Sequence, residues 1–381
     1  MPTFENDPHN PGCHPRFTCL ANALTCAGVV TPHNKDPFSE AMLLGISGGL
    51  GCLYILWEFK SHGTATLATG FTYRCNYFKE GVSQAVERAG GKVSFRETGG
   101  AKTAARHLDE ALDAGMIPIS LLDPYYLPHR GVPSHLESCG GLEVAILRRE
   151  GAGYLIQDRG LFQVSAQAMA TARARIGSYK NRLVLVEPGP AFPIEEAIRA
   201  GIADCVRYLS QPSTSFSIPA IAKWAKMVTD SKNQKGWRKV FAEGRGLYNT
   251  LVSTYTAIEQ RGRGARRNLY ADFLAEAGGL VGGLGDAEAA YRKAAAAWTA
   301  VAETAIAPFD RARALLDQRW QLLAQSDVAG LAEVNVEIEA SRLALDPNTV
   351  EPDGLFESLQ QDLNAVVAAE KAALETLRAW L

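Results

Sequence analysis

Four glycines fall within seven residues, Gly45, Gly48, Gly49 and Gly51, directly after the apolar run Ala41-Met42-Leu43-Leu44. Giving up side chains at that density commits the backbone to a turn with positive φ, or to close approach by another group. Ser39 suits the N-cap of a short helix leading into the turn. A phosphate-binding loop does not fit, because no Lys-Ser/Thr follows the glycines and no acidic residue stands at the ribose-binding distance after a βα unit. Glu40 lies beside this bare backbone, where a carboxylate needs a partner. We expect it in a cleft, hydrogen-bonded to backbone or to His14. Glu40, Gly48, Gly49 and Tyr54 are therefore candidate substrate contacts.

Upstream, Pro15 stands where a proline opens a helix, since its missing N–H would lack a partner there anyway. Arg16 to Ala27 reads as that helix, with Leu20, Ala23, Leu24 and Ala27 at three- and four-residue spacing on one buried face. Cys19 and Cys26 share a face. The chain has seven cysteines at irregular spacing, which favours reduced thiols over a disulfide framework.

Two stretches, Gly12-Cys13-His14-Pro15-Arg16-Phe17-Thr18-Cys19-Leu20-Ala21-Asn22-Ala23-Leu24 and the Ser39 to Gly51 run, resemble the opening of the butirosin biosynthesis H-type proteins. Members of that family are similar to C39-like, papain-fold cysteine enzymes. The resemblance implies a papain-like α+β domain and acyl transfer from a carrier-protein thioester to an amine. It implies a His-Cys pair at the start of the first helix, with the cysteine as nucleophile. Here the pair reads His14-Pro15.

The order of helix (79–89), strand (92–96), helix (103–114) and strand (117–122) agrees with that frame. Two strands follow, 142–147 and 153–157, joined by a short hairpin connection. In papain-like enzymes the general base is a histidine on the first such strand, and an Asp or Asn at the end of the second orients it. Asp158 matches the latter position; Gly140 to Glu143 contains no histidine, and His135 lies upstream. Residues 54–70 read equally as strand or loop.

A displaced cysteine would restore the chemistry. Cys13 lies in the loop entering the helix and Cys19 one turn deeper, with His135 or His14 as base and Asp158 as its orienting group. The plainer alternatives are that Cys19 is a small buried hydrophobe and Asp158 a turn residue. Cys13, His14, His135 and Cys139 are also residue types that bind zinc, but they lack metal-site spacing, so no metal cofactor is expected.

After Pro188 the chain becomes Ala-, Leu-, Glu- and Arg-rich and reads as helix almost throughout. We expect a papain-like domain over 1–188 and an all-helical domain over 189–381. The run Arg261 to Ala277 resembles the C-terminal helical region of the same family. Its Arg263, Arg266 and Arg267 form a basic cluster that is either solvated or suited to an acidic carrier protein or a phosphopantetheine phosphate, with Arg266 the candidate contact. Long apolar-periodic helices over 287–307, 311–345 and 355–381 would be buried against the first domain or in a homodimer.

A net charge of −2 gives no electrostatic case for nucleic acid or an anionic membrane. No apolar run reaches the length of a membrane span, and Met1 to Asp7 lack signal-peptide character, which predicts a cytoplasmic protein. The leading expectation is an acyltransferase or thioester-cleaving enzyme of natural-product biosynthesis, acting on a carrier-bound or small aminoacyl substrate. The alternative is a relative without cysteine catalysis that binds a pathway intermediate or performs a different, metal-assisted reaction.

Overall fold

The computed structural model describes residues 12–59, 64–244, 246–344 and 352–381, and the side chain of His135 lies outside the described set. The segment read for a signal peptide also falls outside it. In chain order the structure runs α1 (Pro15–Cys26), α2 (Glu40–Ile46), β1 (Leu50–Phe59), β2 (Thr64–Thr72), α3 (Phe78–Arg88), β3 (Gly91–Arg96), α4 (Ala101–Asp113), β4 (Ile119–Leu122), β5 (Leu142–Glu150), β6 (Gly153–Asp158), β7 (Gly160–Ser165), α5 (Ala166–Ala174) and β8 (Leu183–Pro188). Helices follow: α6 (Ile194–Leu209), α7 (Ile218–Thr229), α8 (Trp237–Val240), α9 (Leu247–Tyr255), α10 (Arg267–Val281), α11 (Gly285–Ile306), α12 (Asp310–Gln325), α13 (Val328–Leu343) and α14 (Pro352–Trp380). An α/β region thus precedes a mostly helical one, as the composition shift at Pro188 predicts.

The compact units do not follow that shift. One unit gathers residues 1–43, 86–192 and 314–343, and the other 44–85, 193–313 and 344–381. This corrects the expected boundary at 188: the chain leaves and re-enters each unit. Sequence-local composition marks where helices replace strands, but not which helices return to the sheet.

The first unit holds a six-stranded antiparallel sheet in the order β3-β8-β4-β5-β6-β7. β7, β8 and α5 add to the strands and helices expected from sequence. β8 carries Leu183-Val184-Leu185-Val186, all buried, because it lies between β3 and β4 with both faces covered. Side chains alternate across the sheet. α1 packs on one face, against β4, β5 and β8. The opposite face is an apolar core of Val144, Ile146, Ile156 and Phe162 with α4 and α5, joined by Leu323 and Leu331.

In the second unit, residues 54–59 and 64–70 prove to be antiparallel strands, with β1 and β2 registered from Leu53↔Gly70 to Phe59↔Thr64. Helices α7, α9, α10, α11 and α14 pack around it and one another. The region read as one helix over 311–345 is broken at Ser326, which takes a positive φ of 57° before Asp327 caps the next helix through Gly330 N. Among the described residues no helix is long and apolar enough to cross a membrane.

Candidate active site

α1 begins as Pro15 predicts, with His14 as N-cap and its Nδ1 accepting from Arg16 N at 3.2 Å. The neutral ring therefore carries its proton on Nε2. Ser39 caps α2 through Met42 N at 2.9 Å and sets Glu40 in the first turn. The Glu40 carboxylate reaches back to α1. Its Oε2 accepts from Cys13 N at 3.0 Å and His14 N at 3.1 Å, and its Oε1 from Thr18 Oγ1 at 2.8 Å. Three donors satisfy a buried carboxylate, which is why it tolerates so little solvent. The expected backbone partnership is present.

Gly12 makes this approach possible. A Cβ there would stand 2.0 Å from Thr18 Oγ1 and 2.2 Å from Glu40 Oε1, and the residue's φ is +53°. Its carbonyl accepts from Arg159 Nη1 at 2.6 Å, while Arg159 stacks over Trp320 at 4.0 Å. Burial pulls the Arg159 pKa down, and the neighbouring Cys13 and Glu40 oppose that shift. Cys13 thus sits partly exposed at the mouth of α1, within electrostatic reach of a guanidinium.

Cys19 has a different environment. It is 2% exposed, and burial foremost, then the charges of Glu143, Asp158 and Glu40, push its thiol well above the ordinary value. Such a thiol stays neutral and behaves as a small hydrophobe. Cys26 donates to Gly115 O at 3.2 Å, and Cys52 is buried in the second unit.

Facing α1 across the sheet stand two polar pairs. Arg16 grips Glu143 through Nε and Nη2, at 3.1 and 2.8 Å to Oε1. Nearly two turns on, Asn22 donates to Gln157 Oε1. Glu143 lies within the span where a catalytic histidine was expected, and Arg16 follows the proline that stands for the nucleophile. The two are 12–13% exposed and form a forked, charge-assisted pair.

Asp158 does not face α1. Ala145 pairs with Gln157 and Ile146 with Ile156, so Gln157 shares the α1 face while Ile156 and Asp158 point to the opposite side. There the Asp158 carboxylate accepts from His129 Nε2 at 2.8 Å and from Arg130 Nε at 2.6 Å, and His129 stacks on Phe162 at 3.8 Å. Burial alone would raise the Asp158 pKa, but the Arg130 charge and the His129 and Arg130 hydrogen bonds hold it well below the usual range. Burial lowers His129 in turn. Neither reacting cysteine candidate on or before α1 has Asp158 as a neighbour on its own face. Asp158 thus stands one residue of strand register away from the face that the expected Cys-His-Asp arrangement requires.

His129 and Arg130 were missed in the sequence. The available signal was an adjacent His-Arg pair after Pro128, just past the Asp123 to Pro128 run, which needs a counter-charge wherever it is buried. His135 lies in a short turn, Ser134–Leu136, with its side chain outside the described residues. Among the described residues no three His, Cys, Asp or Glu side chains gather as a metal site.

The other substrate-contact candidates belong to the second unit, where they serve packing. A Cβ at Gly48 would lie 2.6 Å from the Tyr73 ring, and one at Gly49 2.5 Å from Tyr270. Tyr54 is buried, stacked on Trp224 at 5.4 Å, and its hydroxyl accepts from Trp237 Nε1 at 3.2 Å. Arg266 takes a φ of 69° at the start of α10 and lies 5.9 Å from the Phe71 ring. The basic cluster is divided: Arg267 is fully buried against Glu370 at 2.5 Å, whereas Arg263 is partly exposed and pairs with Asp272 at 2.9 Å.

Comparison with known families matches residues 14–159 to the N-terminal domain of butirosin biosynthesis protein H, a span running from the α1 N-cap to Arg159. Residues 167–329 match a domain of unknown function, DUF4872. No curated protein matches the sequence. The two matches follow one another along most of the chain, and on them the protein belongs to a butirosin biosynthesis protein H-like family.

Proposed function

We propose that this protein acts in natural-product biosynthesis on an acyl thioester, within a papain-like frame whose nucleophile has moved to Cys13. The observation that carries this reading is the seat of Cys13. Its thiol is partly exposed, its backbone N–H is pinned by Glu40, and it stands before the positive end of α1 and close to Arg159. The helix end and Arg159 favour thiolate, and the Glu40 carboxylate beside the Cys13 backbone opposes them.

In the proposed reaction the Cys13 thiolate attacks the thioester carbonyl. A new C–S bond forms, the donor's C–S bond breaks, and the departing thiolate takes up the proton that Cys13 released. An amine then attacks the acyl-Cys13 carbon, and its proton passes to the leaving Cys13 sulfur. Glu40 holds the start of α1 in place through Cys13 N, His14 N and Thr18 Oγ1. His14 positions the helix start through its Nδ1. An acyl carrier protein or a small thioester would be the donor.

One observation favours a second reading, a relative that binds a pathway intermediate without cysteine chemistry. Pro15 fills the place where the family resemblance implies the nucleophile, and the next residue, Arg16, is paired with Glu143, within the span where it implies the histidine.

Intact-protein and peptide mass spectrometry after incubation with an S-acyl-N-acetylcysteamine probe separates the two. The proposal expects an acyl adduct mapped to Cys13, lost in Cys13→Ala and retained in Cys19→Ala. An unmodified Cys13 in the wild type, or an adduct confined to exposed Cys139, would overturn it in favour of binding alone.

A further inference from the structure

The glycine run from Gly45 to Gly51 has a use that the Cys13 chemistry does not need. In the second unit a cavity of about 420 Å³ is lined by Tyr73, Arg74, Tyr77, Arg207, Tyr208 and Phe216, with Asn76 and Gln211 at its edge. That volume falls in the range of small-molecule sites. Its back wall rests on glycines. A Cβ at Gly48, whose φ is +106°, would lie 2.6 Å from the Tyr73 ring; at Gly51 it would lie 2.4 Å from Thr72 O and 3.0 Å from the Tyr208 ring; at Gly70, 2.6 Å from Cys75 Sγ. Side chains at Gly48 and Gly51 would press on the Tyr73 and Tyr208 rings and drive them toward the space. The Tyr73 and Tyr208 rings meet edge to face at 5.0 Å.

The charged lining is held in place from outside. Arg74 pairs with Glu80 at 2.5 Å and lies 4.6 Å over the Tyr77 ring, from a backbone φ of 43°. Arg207 pairs with Asp204 and with the Tyr73 hydroxyl. Each guanidinium has five N–H donors, more than these partners use. Their side chains are 34% and 67% exposed, so the remaining donors are available to a ligand. Burial raises the Tyr208 pKa, which keeps its hydroxyl protonated and able to donate.

Four rings and two guanidinia around one space match a planar ring carrying an acidic group. Rings stack or meet edge to face with the ligand's ring, and a guanidinium fork matches a carboxylate or phosphate. Glu80 and Asp204 already offset the charge of the two arginines, so directed hydrogen bonds rather than a general positive field would select the anion. We infer that this cavity binds an aromatic acid, with the glycine run serving as clearance for its tyrosine wall.

Calorimetric titration of the full chain with benzoate and with phenyl phosphate tests this, the two probes distinguishing carboxylate from phosphate, with benzyl alcohol as the uncharged control. The expected result is saturable binding of at least one acid, none of the alcohol, and a loss of about tenfold or more in Arg207→Gln and Tyr77→Ala. Both replaced side chains are largely exposed, and circular dichroism melting of each variant checks that the fold survives. Absence of saturable binding to either acid, equal binding of the alcohol, or unchanged affinity in both variants would overturn the inference. None of these outcomes bears on Cys13.

Discussion

At the scale of single residues, the decisive contrasts are between groups close together in the sequence. Cys13 and Cys19 flank the same helix start, yet one is partly exposed beside Arg159 and the other is sealed against β5 with a raised pKa. Gln157 and Asp158 adjoin in β6 and face opposite sides of the sheet. Asp158 instead holds His129 and Arg130 in the core, and this sets a pH dependence. A carboxyl depressed by folding contributes stability above its unfolded pKa of about 3.9, and that contribution is lost as pH falls through the lower folded value. His129 is depressed too, so the unfolded chain protonates first, below about pH 6.5, and stability again falls with acid. Asp158→Asn leaves Arg130 buried without its counter-charge and is expected to cost about 3–5 kcal/mol at pH 7. Urea midpoints from pH 7 to pH 3 should show wild-type stability declining and the gap to the variant narrowing. A constant gap would mean that Asp158 is not the titrating group.

At the scale of elements, α2 and its turn are shaped by what must fit against them. A Cβ at Gly45 would stand 2.2 Å from the Phe273 ring, and one at Gly201 of α6 2.3 Å from Gly45 O, so these backbones pack at glycine distance. Gly45→Ala should therefore destabilise by about 1–3 kcal/mol or more, the cost of overpacking a closed core. Gly279, in the interior of α10, has nothing within 4 Å of a built Cβ. Gly279→Ala is expected to stabilise by up to about 1 kcal/mol through helix propensity alone. Thermal or urea unfolding of the pair tests whether clearance, rather than glycine as such, is what the run supplies; equal effects would refute it.

At the scale of the whole molecule, the two compact units are interleaved in sequence. The sheet unit draws Leu323 and Leu331 from beyond residue 313, both essentially buried in its core, while the helical unit takes in the β1–β2 pair. Cutting at the composition boundary divides both cores. Residues 1–188 expressed alone should lack cooperative thermal unfolding and near-ultraviolet circular dichroism, because the apolar core over α4 and α5 loses Leu323 and Leu331 and is partly exposed. A sharp, reversible transition in that fragment would show that the returning helices are dispensable. The helical unit also encloses a charge pair, Arg267 with Glu370, whose carboxylate further accepts from Trp298 Nε1 at 2.7 Å.

Local chemistry was legible wherever one segment sufficed. Pro15 opened its helix, Ser39 capped the next, Glu40 found backbone donors, and the alternating strands around β5 and β6 formed as their patterns require. The family was legible too, because its motifs are contiguous blocks. Tertiary structure alone decided the rest: which face Asp158 takes, that Glu143 meets Arg16 across 127 positions, that Arg267 is buried rather than solvated, and that helices after residue 313 return to the sheet. Each depends on register or on a partner distant in sequence. Strand alternation makes one residue the difference between two faces, and the burial of a charge is set by its distant partner rather than by its neighbours.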